Sequence, residues 1–419
     1  MNTVFDCTYL TDEQVKGFDS YKYSSVDTSP VSVYISHPFW NQVVKLVPKR
    51  VAPNVLTVAG FSFVMLSFLL VSAYDYFLLA SSESAQNSQY GPIPSWLWLF
   101  CAICTFLAHT LDGIDGKQAR RTGSSGPTGE LFDHGLDSWA TVPFTVTIFS
   151  IFGRTDYSVS ATRLLGIVMS VQVVFIATHW EKYNTGVLFL SWGYDVSQYG
   201  LAIFYLFTYF AGYKFFKWDV VPALGITFAD IFEFSFYCMC AVSVVMTLYN
   251  IHHSYVVEKT GQRSSYYEGV LPLFSTAVLF VLALLWALFS PTKVIDQDPR
   301  AFIWVMGVVF SNIACRLIVS QMSQTRCEPF NWMLWPYGAA FLLSLVGLGL
   351  WELYLVRLLA IVFTVAHLHY GTCVVRQLCS HFGIKAFSLG PATNRAHSDY
   401  SEAHENSAED KKSLLSENV

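Results

Sequence analysis

The sequence has few charged residues for its length. Only 13% of its 419 residues are Asp, Glu, Lys or Arg, whereas 53% are hydrophobic. Soluble domains usually carry about 25% charged residues. A large soluble core is therefore a poor interpretation, and the recurring long apolar runs predict a polytopic membrane protein.

The sequence also lacks the signals of several other functions. Its 25 Lys and Arg residues form no basic stripe, so we expect no nucleic-acid partner. The nine cysteines are scattered. Cys101 and Cys104 form a CxxC inside an apolar run without a histidine cluster nearby, which favours packing over zinc or redox chemistry. We find no internal repeat and no second soluble domain.

The apolar runs predict an all-α fold of about ten transmembrane helices. The predicted spans cover residues 55–77, 95–111, 134–153, 161–179, 196–212, 232–251, 270–289, 301–322, 332–352 and 355–378. Residues 1–50 are predicted to be a cytosolic lead-in that ends in an interfacial amphipathic helix with Phe39 and Trp40 as anchors. Residues 51–380 would form the membrane domain, and 385–419 a disordered cytosolic tail.

Basic residues are concentrated in the segments that ten spans would place on one side of the membrane. These residues are Lys45, Lys49, Arg50, Lys117, Arg120, Arg121, Arg376, Lys385, Lys411 and Lys412. The positive-inside rule then predicts that both termini, and any site in residues 111–138, face the cytosol.

Four aspartates lie between two of the apolar runs, in residues 111–138. They are Asp112, Asp115, Asp133 and Asp137. The first two are three residues apart and the last two are four apart, so each pair lies on one helix face. Two such faces, joined by a Gly-rich turn, suit a hard divalent metal. The spacing therefore favours a metal site over an acidic solvated loop.

A metal site at a membrane surface favours a diphosphate substrate, because metal ions neutralise the charge that develops on the leaving phosphate oxygens. Arg120 suits bidentate phosphate binding, with a positive-inside anchor as the alternative. Gly116 leaves room for a ligand, and the small residues Ala119 and Gly129 are consistent with either close helix approach or a ligand slot. His134, beside the third aspartate, is the predicted general base; the alternative is a histidine that only hydrogen-bonds the carboxylate.

The order of these residues resembles the signature of the CDP-alcohol phosphotransferases. The matching pattern is Asp112-x2-Asp115-Gly116-x2-Ala119-Arg120-x8-Gly129-x3-Asp133-x3-Asp137, without departure. The segments APN at 52–54, GKQARRT at 116–122 and GELFDHGLDS at 129–138 are similar to the choline/ethanolamine phosphotransferase branch. The likeness extends from about residue 15 to residue 388.

This resemblance implies a ten-helix membrane fold that transfers a phospho-alcohol from its CDP ester to a lipid hydroxyl and releases CMP. It implies that the four aspartates bind two Mg²⁺ or Mn²⁺ ions. It also implies that Asn54 and Arg120 contact the CDP-alcohol, and that Gly116 and Ala119 line its pocket. His134 would take the proton from the diacylglycerol hydroxyl, with Asp137 as the fallback base. A homodimer is a further expectation.

The expected reaction converts CDP-ethanolamine and 1,2-diacylglycerol to phosphatidylethanolamine and CMP, in the endoplasmic reticulum or Golgi membrane. Transfer from CDP-choline is the alternative. The primary ammonium of ethanolamine donates hydrogen bonds to a carboxylate, whereas the trimethylammonium of choline prefers a box of aromatic rings. Glu181 is the candidate ammonium partner, unless it pairs with Lys182 in solvent. A transporter is a remote alternative because intramembrane acids often mark ion pathways, but here they cluster at one face. The intact motif disfavours an inactive scaffold.

Overall fold

A computed structural model describes residues 7–81 and 92–389 of the protein. These residues are mostly helical, which confirms the all-α prediction. The helices are α1 (Asp12–Asp19), α2 (His37–Leu46), α3 (Pro53–Tyr74), α4 (Ser95–Thr122), α5 (Pro127–Phe149), α6 (Ala161–Thr185), α7 (Gly193–Ala211), α8 (Phe228–His252), α9 (Tyr266–Phe289), α10 (Val294–Gln297), α11 (Pro299–Met322), α12 (Leu334–Leu345) and α13 (Trp351–Phe382). Residues 390–419, most of the predicted tail, lie outside the described residues.

Short elements complete the described chain. Strand β1 (Ser25–Val26) pairs in parallel with β2 (Leu188–Phe189), and β3 (Asp219–Val221) pairs antiparallel with β4 (Ile226–Thr227). The π-helical turns are Ser32–Ser36 and His253–Glu258, and the 3-10 turns are Tyr213–Phe216 and Pro222–Leu224.

Each of the ten predicted spans overlaps one of the longer helices. Seven helices in the described part of the chain are long and apolar enough to cross a membrane: α3, α4, α6, α8 with its following π-helical turn, α9, α11 and α13. Helices α5 and α7 are long enough but less apolar, and α12 has only 12 residues. The polytopic membrane architecture is confirmed, whereas the count of ten crossings is not.

The helix ends next to the aspartates follow from local sequence. Pro127 begins α5, where the missing N–H of proline costs nothing. Helix α4 ends at Thr122 and is capped by Gly123, whose φ of 65° is left-handed and suits glycine. Only residues 123–126 separate the two helices, so α4 continues past the predicted span end at residue 111. The aspartates therefore lie on regular helix rather than in a loop.

Helix α11 is the central helix of the bundle. Nearly all of its residues are buried, and it packs against α5, α6, α9 and α13. A Cβ at Gly307 would lie 2.2 Å from Val142 Cγ2, so the glycine allows α11 to approach α5 closely. Because lipid tails are as apolar as the core, such close packing is what holds membrane helices together. Helix α5, which carries two of the aspartates, is thus supported by a buried helix.

Polar contacts fix the helices at the end of the bundle remote from the aspartates. Arg300, at the start of α11, donates to the carbonyls of Asp75 and Tyr76 after α3 and to Ser150 Oγ after α5. We call the opposite end, where α4 ends and α5 begins, the site end.

Residues 32–46, which we call the interfacial segment, lie at the site end. They comprise the first π-helical turn and α2. Their outer face is apolar and exposed, with Tyr34 79% and Leu46 82% accessible. Trp40 is only 6% exposed and packs on Gly113 of α4. It therefore anchors the segment to the protein, not to the membrane interface as predicted.

Candidate active site

Six of the predicted site residues of α4 and α5 form two stripes. The stripe on α4 consists of Asp112, Gly116 and Arg120, and that on α5 of Gly129, Asp133 and Asp137. A spacing of four residues is close to one helical turn, so the members of each stripe lie on one face. The stripes run from the interior of each helix to the site end.

Three of the four predicted metal ligands converge where the stripes meet. One carboxylate oxygen from each of Asp112, Asp133 and Asp137 lies within 4.8 Å of the other two. We call these residues the acidic triad; all three are half-buried. Asp115 is not part of it, and its Oδ2 accepts a hydrogen bond from Thr57 Oγ1 of α3. Metal binding by Asp115 stays a prediction.

The acidic triad fits a divalent metal. Its donors are carboxylate oxygens, which hard cations prefer. Asp133 Oδ1 is buried and has no hydrogen-bond partner among the described residues. No ion pair within residues 7–81 and 92–389 joins the triad to a lysine or arginine. Because unpaired buried carboxylates are costly, a bound cation would offset their charge.

His134 lies between two carboxylates. Its Nε2 is 3.8 Å from Asp133 Oδ2, and its Nδ1 is 3.8 Å from Glu130 Oε1. The ring centroid of His179 is 5.0 Å away. One nitrogen of His134 thus faces the acidic triad, and the other faces Glu130.

Glu130 belongs to a buried polar network that sequence analysis missed. Lys182 forms an ion pair with it, and Tyr21 Oη donates to its two oxygens at 2.9 and 2.7 Å. Tyr23 lies with its ring 4.9 Å from Lys182 Nζ, and burial, followed by the charge of Glu130, raises the pKa of its phenol. The feature of the sequence that could have indicated this network is Glu130, an acidic residue one helical turn before His134.

The structure does not bring Glu181 into the acidic triad. Adjacent helix residues point about 100° apart, so Lys182 faces α5 while Glu181 faces α8. The Glu181 carboxylate is 2% exposed and accepts hydrogen bonds from Thr247 Oγ1 at 2.9 Å and Asn250 Nδ2 at 2.8 Å. The alternative of a solvated pair with Lys182 is wrong, because both side chains are buried and Lys182 pairs with Glu130.

Two neighbouring arginines have different surroundings. Arg121 donates to the carbonyls of Val44 and Val47 and so fixes the end of α2. The Arg120 side chain is exposed, and its guanidinium makes no hydrogen bond or ion pair within the described residues. Its Nη1 lies 3.8 Å from the position that a Cβ of Gly116 would occupy. Arg120 therefore has an available guanidinium at the outer end of the α4 stripe.

Helices α3 and α5 bring two further predicted residues together. Asn54 Oδ1 lies 3.6 Å from the position that a Cβ of Gly129 would occupy. Asn54 is 8% exposed. Ala119, one turn after Asp115 on α4, is half-buried. All the predicted substrate-binding residues except Glu181 therefore belong to the site ends of α3, α4 and α5.

The residues that follow α13 contact this site. Asn54 Nδ2 donates to the carbonyl of Ala386 at 2.8 Å. The ring of Phe387 packs edge to face on Phe132, with centroids 5.5 Å apart. We call residues 384–389 the C-terminal strap. The first residues of the predicted tail thus make defined contacts next to the α5 stripe.

Two glycines of α4 close to Asp112, Gly113 and Gly116, allow a test of how tightly Trp40 packs on this helix. A Cβ at Gly113 would lie 2.1 Å from Trp40 Cε2, so we expect Gly113→Ala to displace the indole and cost about 1–3 kcal/mol. Gly116→Ala is the matched control, because the end of the Arg120 side chain, 3.8 Å away, is its nearest neighbour. Thermal unfolding in detergent should show a lower midpoint for Gly113→Ala alone. Equal midpoints would contradict the close packing of Trp40.

The fold and the site together define a class of protein. A mostly helical membrane protein with an acidic triad suited to a divalent metal, and with an imidazole and an available guanidinium near it, fits an enzyme that transfers a phosphorus-containing group at a membrane surface. The chain belongs to the CDP-alcohol phosphatidyltransferase family, whose family model matches residues 50–229. That range contains both stripes, and the resemblance seen in the sequence is confirmed.

Individual relatives match most of the chain. Ethanolaminephosphotransferase 1 of Homo sapiens is 45% identical over 383 residues, which are 91% of this chain and 94% of the human protein. The Mus musculus protein of the same name is 44% identical over 384 residues, with the same coverage. Choline/ethanolaminephosphotransferase 1 of Arabidopsis thaliana is 28% identical over 401 residues, 91% of this chain and 98% of its own.

Proposed function

We propose that the protein transfers phosphoethanolamine from CDP-ethanolamine to 1,2-diacylglycerol. The observation that carries this proposal is the acidic triad beside His134, in a chain 45% identical to human ethanolaminephosphotransferase 1. A bond forms between the diacylglycerol oxygen and the β-phosphorus, and the bond from that phosphorus to the bridging oxygen breaks. The products are phosphatidylethanolamine and CMP.

The two stripes would hold the CDP-alcohol. The four aspartates would bind two Mg²⁺ or Mn²⁺ ions, which when bound neutralise the charge of the diphosphate. The guanidinium of Arg120 binds phosphate oxygens next to Gly116 and Ala119, where the side chains are small. Asn54 contacts the donor once its amide leaves the carbonyl of Ala386.

His134 acts as the general base in this proposal. Its Nε2, which faces the acidic triad, takes the proton of the diacylglycerol hydroxyl. Its Nδ1 faces Glu130, so that carboxylate stabilises the imidazolium that results. Lys182 and Tyr21 hold Glu130 in place. Asp137 is the fallback base.

The proposed setting is an endoplasmic reticulum or Golgi membrane, with the site end and both termini in the cytosol. Lys117, Arg120 and Arg121 lie at the site end, which supports this orientation. A homodimer and an ammonium-binding role of Glu181 stay predictions.

An assay of the purified protein tests the reaction and its head group. Labelled CDP-ethanolamine or CDP-choline is incubated with diacylglycerol in mixed micelles, and CMP and phospholipid are measured. We expect at least about tenfold higher kcat/KM for CDP-ethanolamine, loss of activity in EDTA, and recovery with Mg²⁺ or Mn²⁺. A preference for CDP-choline would establish the alternative head group, and no CMP release from either donor would contradict the proposal.

A further inference from the structure

The first turn of α7 contacts the acidic triad from outside. Tyr194 Oη donates a hydrogen bond to Asp112 Oδ2 at 3.0 Å. Among the described residues, no side-chain hydroxyl donates a hydrogen bond to the carboxylates of Asp133 or Asp137, so Asp112 differs from them in this respect. The bond restricts rotation of the Asp112 carboxylate, which otherwise turns about its terminal torsion.

Asp195, the next residue, fixes the position of this turn. Its Oδ2 accepts hydrogen bonds from Ser32 Oγ at 2.5 Å and Ser36 Oγ at 2.6 Å, both in the interfacial segment. Its Oδ1 is 3.4 Å from Nε2 of His109, which lies one turn before Asp112 on α4. The side chains of Asp195 and His109 are only 4% and 1% exposed. The start of α7 is therefore tied to both α4 and the interfacial segment.

The interfacial segment also holds the backbone of α4 next to Asp112. Trp40 packs against Gly113, and its ring lies edge to face with His109 at 5.3 Å. Tyr194 and His109 have ring centroids 5.7 Å apart. The side chains of Trp40, His109 and Tyr194 next to Asp112 are thus themselves held by contacts with one another and with α4. Such outer contacts orient metal ligands and tune their affinity.

We propose that Tyr194 is a positioning residue that holds Asp112 in its metal-binding orientation, with Asp195 fixing Tyr194 against α4 and the interfacial segment. The inference rests on the metal site of the proposed function. It assigns a role to the segment WGYDVSQ, which is absent from the aspartate signature.

The test compares Tyr194→Phe with Tyr199→Phe in the full-length protein. Tyr199 is the matched control, since it lies on the same helix and its hydroxyl donates to Ser36 Oγ at 3.2 Å instead of to the triad. Two midpoints are measured: the Mn²⁺ concentration for half-maximal initial rate, and that for half-maximal stabilisation against thermal unfolding by Mn²⁺ alone.

We expect Tyr194→Phe to raise both Mn²⁺ midpoints about tenfold, the lower end of the range for loss of an outer contact to a metal ligand. The unfolding midpoint in EDTA and the rate at saturating Mn²⁺ should change little, and Tyr199→Phe should match the wild type. Unchanged Mn²⁺ midpoints in Tyr194→Phe, or equal shifts in both variants, would overturn the inference while leaving the proposed function intact. A wild-type protein without Mn²⁺-dependent stabilisation or activity would overturn both.

Discussion

Asp137→Asn is expected to reduce the transfer rate at least about 10³-fold. Asparagine keeps the shape of the side chain but removes the charge of one member of the acidic triad, whose carboxylate oxygens lie within 4.8 Å of one another. Metal bound to the diphosphate contributes several kcal/mol of transition-state stabilisation, and each 1.36 kcal/mol is tenfold in rate. The initial rate of phosphatidylethanolamine formation in proteoliposomes measures the effect.

The same substitution should stabilise the metal-free protein. Three carboxylates in one half-buried cluster repel one another and resist burial. Removing one of them should raise the unfolding midpoint in EDTA, by about 1 °C for each kcal/mol of relief in a chain of this length. Activity and stability then change in opposite directions, which a purely structural aspartate would not produce.

Asp19→Asn is the matched control for this experiment. Asp19 is also at the site end, but its side chain is 56% exposed and contacts His381 instead of the triad. We expect wild-type activity and an unfolding midpoint close to that of the wild type. Retention of more than a tenth of the activity in Asp137→Asn would contradict the assignment of Asp137 to the metal site.

His134→Gln is expected to lower kcat about 10³-fold, within the range that general bases contribute. The imidazole lies 3.8 Å from both Asp133 and Glu130, and glutamine can keep a polar contact there but cannot take up a proton at neutral pH. Because the ring is not a proposed metal ligand, the Mn²⁺ midpoint for activity should stay near the wild-type value. Steady-state kinetics over a Mn²⁺ series separates the two quantities.

His179→Gln is the control that distinguishes the two imidazoles. The rings are 5.0 Å apart, but the Nδ1 of His179 contacts the side-chain amide of Gln321 on α11. We expect its kcat to fall no more than about tenfold, far less than removal of a general base. If instead His134→Gln keeps its kcat at saturating Mn²⁺, Asp137 takes the role of base.

Local spacing predicted which aspartates share a helix face, because helical geometry is local. The intervals between Asp112 and Asp115 and between Asp133 and Asp137 place each pair on one face, and the structure has regular helix at all four positions. Spacing cannot show which carboxylates meet across two helices. Thr57, on a third helix, binds Asp115, and this contact is not visible in the aspartate pattern.

Hydropathy located the helices but not their ends. Hydropathy identifies the residues that are apolar enough to lie in lipid, but a helix can extend beyond them. Helix α4 continues for three turns past its apolar part, as far as the glycine at position 123. Hydropathy also could not separate Glu181 from Lys182, which are neighbours in sequence but contact α8 and α5 respectively. Hydropathy also misplaced Trp40. This aromatic residue of an amphipathic helix was predicted to be an anchor at the membrane interface, yet it packs against Gly113.

The C-terminal strap has a practical consequence for labelling the protein. Its contact with Asn54 places the last described residues beside the proposed binding position of the CDP-alcohol. A fluorescent protein or affinity tag joined immediately after residue 389 would be held next to this binding position and would compete for space with the nucleotide. Fusions intended to report native turnover should therefore keep a long spacer between the strap and the tag.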